Sequence, residues 1–302
     1  MTHAVALAKE PIKNNIMKLI QPAFEIWQQE NLPFSLSQSE QSPEIRHQIL
    51  ASIFKHIERC GRICYLSHSD ITDQSAQEFV QRMINSKHFS VLEHGTIYLA
   101  IPYEQLDEAT LQKTYGKNIW CSCCLDEAKT HWYITTNYRV MLENQWLDAV
   151  EKYLCMPTKK HHLRMSVHLT TNRQVTHELV RARLMSFSQE STRYCNYSKD
   201  KFNNELTFVE PLQQSDIALQ TLQHIEQSYV RLTMQDGWTA QEAAAILPNT
   251  LKAEIVVSGF IKDWSYLFDL RVKGTTGKPH PMMVKTLEPV YEEFVKRGLV
   301  EK

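Results

Sequence analysis

Ile45, Ile49, Ile53 and Ile57 recur at every fourth position, which lays one apolar stripe along a helix. Ser42-Pro43 stands just in front of them, a capping hydroxyl followed by a proline suited to the first helical turn. A further helix is predicted over 75–86, with Phe79, Val80 and Met83 facing inward. Up to about residue 90 the chain reads as helical, including an N-terminal helical extension over 1–40. The period then changes. Ile97, Leu99 and Ile101 alternate as in a half-buried strand, and further extended stretches are expected over 131–140 and 164–171. Residues 104–130 read as an insertion or loop.

The second half returns to helix. Ala218, Leu222, Ile225, Tyr229 and Leu232 share a face, and Gly237 suits the stop. Thr239 with Glu242 forms a capping box that opens a short helix ending before Leu247-Pro248. A last helix runs from Pro281 to Lys296, with Gly298 after it. No repeat or low-complexity linker interrupts the chain. The pattern predicts one α/β (α+β) domain over 1–302, with a mixed sheet flanked by helices.

Composition narrows the functions. Hydrophobic residues make up 43% of the 302 and charged residues 22%, as in an ordinary globular protein. A net charge of −1 argues against a nucleic-acid binder, which is usually basic over a whole domain. No apolar run approaches the ~20 residues that span a bilayer, so no membrane association is expected. The N-terminus lacks the pattern of a secretory signal, and seven cysteines without a regular framework fit a reduced, cytoplasmic setting. Only 8 glycines occur, and no dinucleotide or P-loop signature is present. Gly274-Thr275-Thr276-Gly277-Lys278 imitates a phosphate loop, but Val272 occupies the first glycine position and Pro279 follows the lysine.

The chemistry concentrates in 172–197. On a helix leaving a strand, Arg173, His177 and Arg181 would share one face, and Val175, Leu179 and Ala182 another, buried one. Arg183 and Arg193 add guanidinium groups, and Ser186, Ser188, Ser191 and Thr192 add hydroxyls. Arginine forks with clustered hydroxyl donors suit a phosphate-bearing ligand. On a plain surface the same arginines would instead pair with Glu178 and Glu190, and composition leaves the two readings level.

The segment resembles the defining motif of the flavin-dependent thymidylate synthases, Arg-His-Arg followed by seven residues and a serine. Here Arg181-Ala182-Arg183 leads to Ser191, and Ser191-Thr192-Arg193-Tyr194 continues the likeness. Three further regions resemble the family in order: Arg62-Ile63-Cys64-Tyr65, then His88 to His94, then Leu247-Pro248-Asn249, Asp269-Leu270-Arg271 and Pro279-His280-Pro281. The likeness covers most of 55–295.

What the resemblance implies is specific. Members are homotetramers of α/β fold whose active sites draw on several subunits. They bind FAD, and they methylate C5 of dUMP to give dTMP using 5,10-methylenetetrahydrofolate and NADPH. By resemblance, His88, Ser90, Arg181, Arg183, Gln189, Lys262 and His280 would lie near FAD. Glu178, Arg181, Gln189, Ser191, Thr192 and Arg193 would bind the nucleotide, and Arg271 would activate the uracil ring. No cysteine is needed as a nucleophile in this family, and Ser191 reads as a substrate ligand.

Three positions depart from the pattern: Ala182 for the motif histidine, Ala244 for an arginine, and Phe260 for an asparagine common in some members. They leave open a diverged paralogue acting on another pyrimidine nucleotide, or a non-catalytic nucleotide- or flavin-binding homologue. Cys121, Cys123 and Cys124 lack the spaced second pair of a zinc site, so no metal is expected. His161-His162 after Lys159-Lys160 reads as a solvated basic patch, and His168 as a structural histidine on a strand. His177 and Glu178 suit either the site or a solvated helix surface. Trp120, Trp132, Trp146 and Trp264 read as core or interface residues.

Overall fold

A computed structural model describes residues 17–35 and 42–302. The isoleucine stripe forms α1 (Pro43–Gly61), where the Ser42 hydroxyl accepts from the Ile45 N–H and Ile49, Ile53 and Ile57 are buried. α2 (Ser75–Asn85) follows and buries Phe79 and Val80. Before α1, however, the chain is extended rather than helical. β1 (Lys18–Ile20) and β2 (Ala23–Trp27) occupy the expected N-terminal helix, while residues 1–16 and 36–40 of that extension lie outside the described residues. In β2, Phe24 and Ile26 alternate with exposed Ala23 and Glu25, a period of two in a stretch too short to register against the helical signal behind it.

β3 (Thr96–Pro102), β4 (Ser122–Leu125) and β5 (His131–Asn137) form a three-stranded antiparallel sheet in the order β3-β5-β4. β3 is buried on both faces, not half-buried, because its polar-looking positions are Tyr98 and Ala100, which pack with Tyr133 and Cys155. The 104–130 stretch is not a plain loop. It contains the short α3 (Glu108–Leu111), a wide helical turn Gln112–Gly116 and β4 itself. The extended stretch from 131 stops at Asn137, whose side chain caps α4 (Tyr138–Glu143), and α5 (Leu147–Val150) follows. Cys121 and Cys123 pack against the first core, Cys124 against the Tyr98 cluster. Burial pushes Cys121 up to about 11 and Cys123 up to about 12. None of the seven cysteines forms a disulfide.

The central sheet has the order β2-β6-β9-β7, antiparallel throughout, with β6 (Arg164–Asn172), β7 (Ser186–Gln189) and β9 (Lys252–Phe260). β1 pairs in parallel with β8 (Thr207–Val209). One face of β6 and β9 packs on α6 (Arg173–Leu179), α9 (Ile261–Phe268) and α10 (Pro281–Lys296), around Trp264, Phe268 and Phe294. A smaller core joins β8 to α7 (Asp216–Met234) through Phe208, Leu222 and Tyr229. Gly237 sits at φ +76 and lets the Trp238 N–H return to the Leu232 carbonyl, a stop of the expected kind. The Thr239–Glu242 capping box opens α8 (Ala240–Ala243) as expected.

His161 departs from the expected basic patch. It is buried, with Nε2 at 3.0 Å from the Leu99 carbonyl and Nδ1 accepting from the Thr158 N–H. His168 is structural as expected, stacked on Trp27 and bonded to Glu254 at 3.0 Å. No helix among the described residues is long and apolar enough to cross a membrane.

Candidate functional site

α6 starts where β6 ends. The Asn172 side chain accepts from the Val175 N–H, and the Arg173 and Gln174 N–H groups donate to the carbonyls of Leu251 and Asn249. The helix stops at Leu179, so Arg181 does not share its face with Arg173 and His177. The chain turns instead, through Val180, Arg181, Ala182, Arg183 and Leu184, into β7. Ala182 packs against the core beside α9 and α10, on the buried side expected of it.

Across α6 lies the wide helical turn Asp269–Lys273, which follows α9 and carries Arg271. Arg271 Nη1 meets Glu178 Oε2 at 3.2 Å. The pair borders a cavity of about 500 Å³ lined also by Leu270, Lys278, Pro279 and His280. His280 caps α10, its Nδ1 accepting from the Met282 N–H at 3.1 Å. A neutral ring then carries its proton on Nε2, 3.0 Å from the Gln174 amide, which fits when Gln174 turns its oxygen to the ring. Gln174 is missed by the sequence reading, and Lys278 enters it only through the rejected phosphate-loop imitation. Gln174 lies four residues before Glu178 on α6, and that spacing was the available signal.

Gly274 closes the turn at φ +71, and a Cβ there would lie 2.8 Å from Pro279 Cδ and 3.0 Å from the Gly277 carbonyl oxygen. We expect Gly274→Ala to cost about 1–2 kcal/mol in left-handed strain alone. It would also displace Arg271 relative to His280. Urea unfolding of the variant measures the first effect, and an unchanged midpoint would contradict it.

The other arginines lie elsewhere. Arg181, Arg183 and Arg193 are exposed and do not line the cavity of Arg271 within one chain. None of the three belongs to an ion pair among the described residues. Glu178 is taken by Arg271, and Glu190 is buried against Lys252 at 3.0 Å and the Tyr197 hydroxyl at 2.7 Å. The surface salt bridges that would have made these arginines ordinary are therefore not formed. Arg193 lies over the Tyr194 ring, which in turn contacts Tyr65. Arg173 Nη1 is buried without a hydrogen-bond partner. Exposed Val180, Leu184 and Tyr194 interleave with the cations.

Gln189 donates to the Thr176 hydroxyl at 2.9 Å, and the Ser191 N–H donates to the Cys64 carbonyl at 3.1 Å. Thr192 is half-buried beside it. His88 and Ser90 are exposed on the 3-10 segment Phe89–His94, with His88 at its start. Lys262 and Arg164 flank the ring of buried Phe260, which places that departure in the core. Ala244 begins the turn after α8.

The family described as thymidylate synthase complementing protein matches residues 157–288, a span that runs from just before β6 into α10. A flavin-dependent thymidylate synthase from Geobacter sulfurreducens is 30% identical over 104 residues, which cover 33% of this chain and 44% of that protein. Less than half of that relative's length is therefore matched. A UMP/dUMP methylase from Streptomyces cacaoi, solved with 5-Br UMP, is 12% identical over 93% of this chain and 92% of its own, with a TM-score of 0.40. A flavin-dependent thymidylate synthase from Helicobacter pylori, solved with FAD and dUMP, is 13% identical over 82% of this chain and 93% of its own, with a TM-score of 0.38. The matched span holds the arginine motif, its continuation through Tyr194, Arg271 and His280, in the order the sequence presented them, and over that span the chain is similar to the thymidylate synthase complementing protein family.

Proposed function

We propose that this chain binds FAD and dUMP and methylates C5 of the uracil to give dTMP, with 5,10-methylenetetrahydrofolate and NADPH as co-substrates. One observation carries the reading: Arg181, Arg183 and Arg193 form no ion pair although acidic side chains lie nearby in the sequence. An exposed guanidinium fork without an internal carboxylate is available to a phosphate or another anion. The orphaned Arg173 Nη1 adds a buried donor to the same segment.

The donor set suits both ligands. Arg181, Arg183 and Lys262, with His88, Ser90 and His280, supply cations and hydrogen-bonding groups for a flavin dinucleotide. Arg193 with the Ser191 and Thr192 hydroxyls suits a 5′-phosphate, with Gln189 beside them. The bound flavin supplies the hydride chemistry. Arg271 orients the pyrimidine and stabilises the negative charge that builds as C5 becomes nucleophilic. To reach a ring carbonyl it must leave Glu178, so substrate entry exchanges an internal ion pair for a substrate contact. Glu178 then remains at the nucleotide as an acceptor. The exposed apolar residues among the arginines support a homotetramer in which neighbouring copies complete each site.

The test is the absorbance spectrum of the purified protein, with and without dUMP, followed by turnover with the folate and NADPH. Yellow protein that converts dUMP to dTMP is expected. Protein that takes up no FAD at micromolar concentration overturns the reading. Including UMP in the same assay reports whether the Ala182 and Ala244 departures have shifted the nucleotide.

A further inference from the structure

A buried chain of neutral polar groups runs through the central sheet. His56 Nε2 meets the Ser166 hydroxyl on β6 at 2.9 Å, and Ser166 meets the Ser258 hydroxyl on β9. Ser258 contacts His94 Nδ1 at 2.7 Å, and His94 Nε2 contacts the Ser188 hydroxyl on β7 at 2.9 Å. All five side chains are buried, and His94 is 0% exposed. The Ser188 hydroxyl also opposes the burial that pushes the Cys64 thiol up.

None of these five groups is acidic. Burial, with His56 and Arg164 nearby, holds His94 in its neutral form. A neutral imidazole has one donor and one acceptor, so His94 is fully used by its two hydroxyls. The hydroxyls must then align head to tail along the chain. With both histidines held neutral such a network carries no net charge, and its effect is to fix position.

What it fixes is informative. β7 is an edge strand of four residues and therefore weakly held by its ladder alone. Ser188 precedes Gln189, and the Cys64 carbonyl takes the Ser191 N–H. His94 closes the 3-10 segment that carries Ser90, with His88 at its start. The ring thus joins the segment offered to the flavin to the segment offered to the nucleotide.

We propose that His94 is a positioning residue: through Ser188 and Ser258 it locks the end of β7, with Gln189 and Ser191, to the His88–Ser90 turn, so that the two halves of the site move as one unit. This rests on the functional reading above. The test removes one bond from each end. Ser188→Ala deletes the hydroxyl, and His94→Asn keeps the arm toward Ser258 but not the one toward Ser188. Amide hydrogen exchange is measured on the ligand-free proteins, and FAD and dUMP affinities on the same samples. Each variant is expected to speed exchange in both 186–191 and 88–94, and to weaken dUMP binding on the order of tenfold. The double variant should bind no worse than His94→Asn alone, because both changes remove the same link. Faster exchange confined to 186–191, or additive affinity losses, would overturn the proposal. Wild-type protein that binds neither ligand would refute the functional reading. The exchange data would then still decide whether His94 couples the two segments.

Discussion

Folding stability is expected to fall steeply as the pH drops below 6.5, because three histidines are buried in their neutral form. Burial holds His56 down to about 3, helped by the charges of Arg59 and Arg164. Burial likewise holds His94 well below the usual range, and His161 at about 4 against the pull of the Leu99 carbonyl. The sign follows from where the protons go. The unfolded chain takes up three protons near the ordinary histidine value, and the folded chain refuses them. Stability from these groups is therefore complete above pH 6.5 and declines as pH falls. His161 ceases to contribute below about 4 and His56 below about 3.

Each histidine is worth about 1.4 kcal/mol per pH unit in that window, so the limiting slope is about 4 kcal/mol per unit. Two such units remove about 8 kcal/mol, comparable with the ~5–15 kcal/mol that holds a whole domain together. Glu254 acts in a separate, lower window. Burial opposes its ionisation, but the His168 hydrogen bond and the Lys252 ammonium prevail and hold it at about 2. Its contribution is lost only as pH falls from 4.5 toward that value. Urea unfolding at pH 7.5, 6.5 and 5.5 checks the histidine window. Equal free energies at the two ends would refute it.

The second large effect concerns Lys252. Its ammonium lies 3.0 Å from Glu190 and 2.9 Å from Glu254, and Glu190 is almost wholly shielded from water. Lys252→Met is expected to cost about 3–5 kcal/mol, since it leaves buried carboxylates without their counter-charge. Pairing it with Glu190→Gln should recover part of that loss. The double variant keeps the Tyr197 contact and the length of the side chain while removing one stranded charge. A single-variant loss below 1 kcal/mol in urea unfolding would show that the carboxylates find other partners. Because Glu190 immediately precedes Ser191, the single variant should also weaken dUMP binding, measurable in the same samples.

Much of this molecule was legible in the chain before its fold was known. The isoleucine stripe of α1, the capping box at Thr239 and the span of α10 are local signals, and local hydrogen bonding realises them where they stand. The misses have a common cause in tertiary context. β9 is an apolar run buried on both faces, whose periodicity does not separate strand from helix. β7, Ser-Phe-Ser-Gln, has one large apolar residue and is a strand because β9 supplies its partners. His161 looks solvated beside two lysines and a histidine, and only the Leu99 carbonyl from β3 makes it a core group. The site divides in the same way. The motif residues were readable as a string through family likeness. That Glu190 pairs with Lys252 and Glu178 with Arg271, leaving three arginines unpaired, depends on contacts between distant segments.

The cysteines bear on how the protein behaves at the bench. Burial keeps the thiols of Cys121, Cys123 and Cys195 protonated far above neutrality, at about 11, 12 and 12, and pushes fully enclosed Cys60 up as well. Thiolate, the form that alkylates and cross-links, is scarce at those positions near pH 7. A maleimide added to native protein will label these sites slowly, and opening of the fold will accelerate it. The rate of labelling at Cys123 then reads out local unfolding of β4 without any engineered probe.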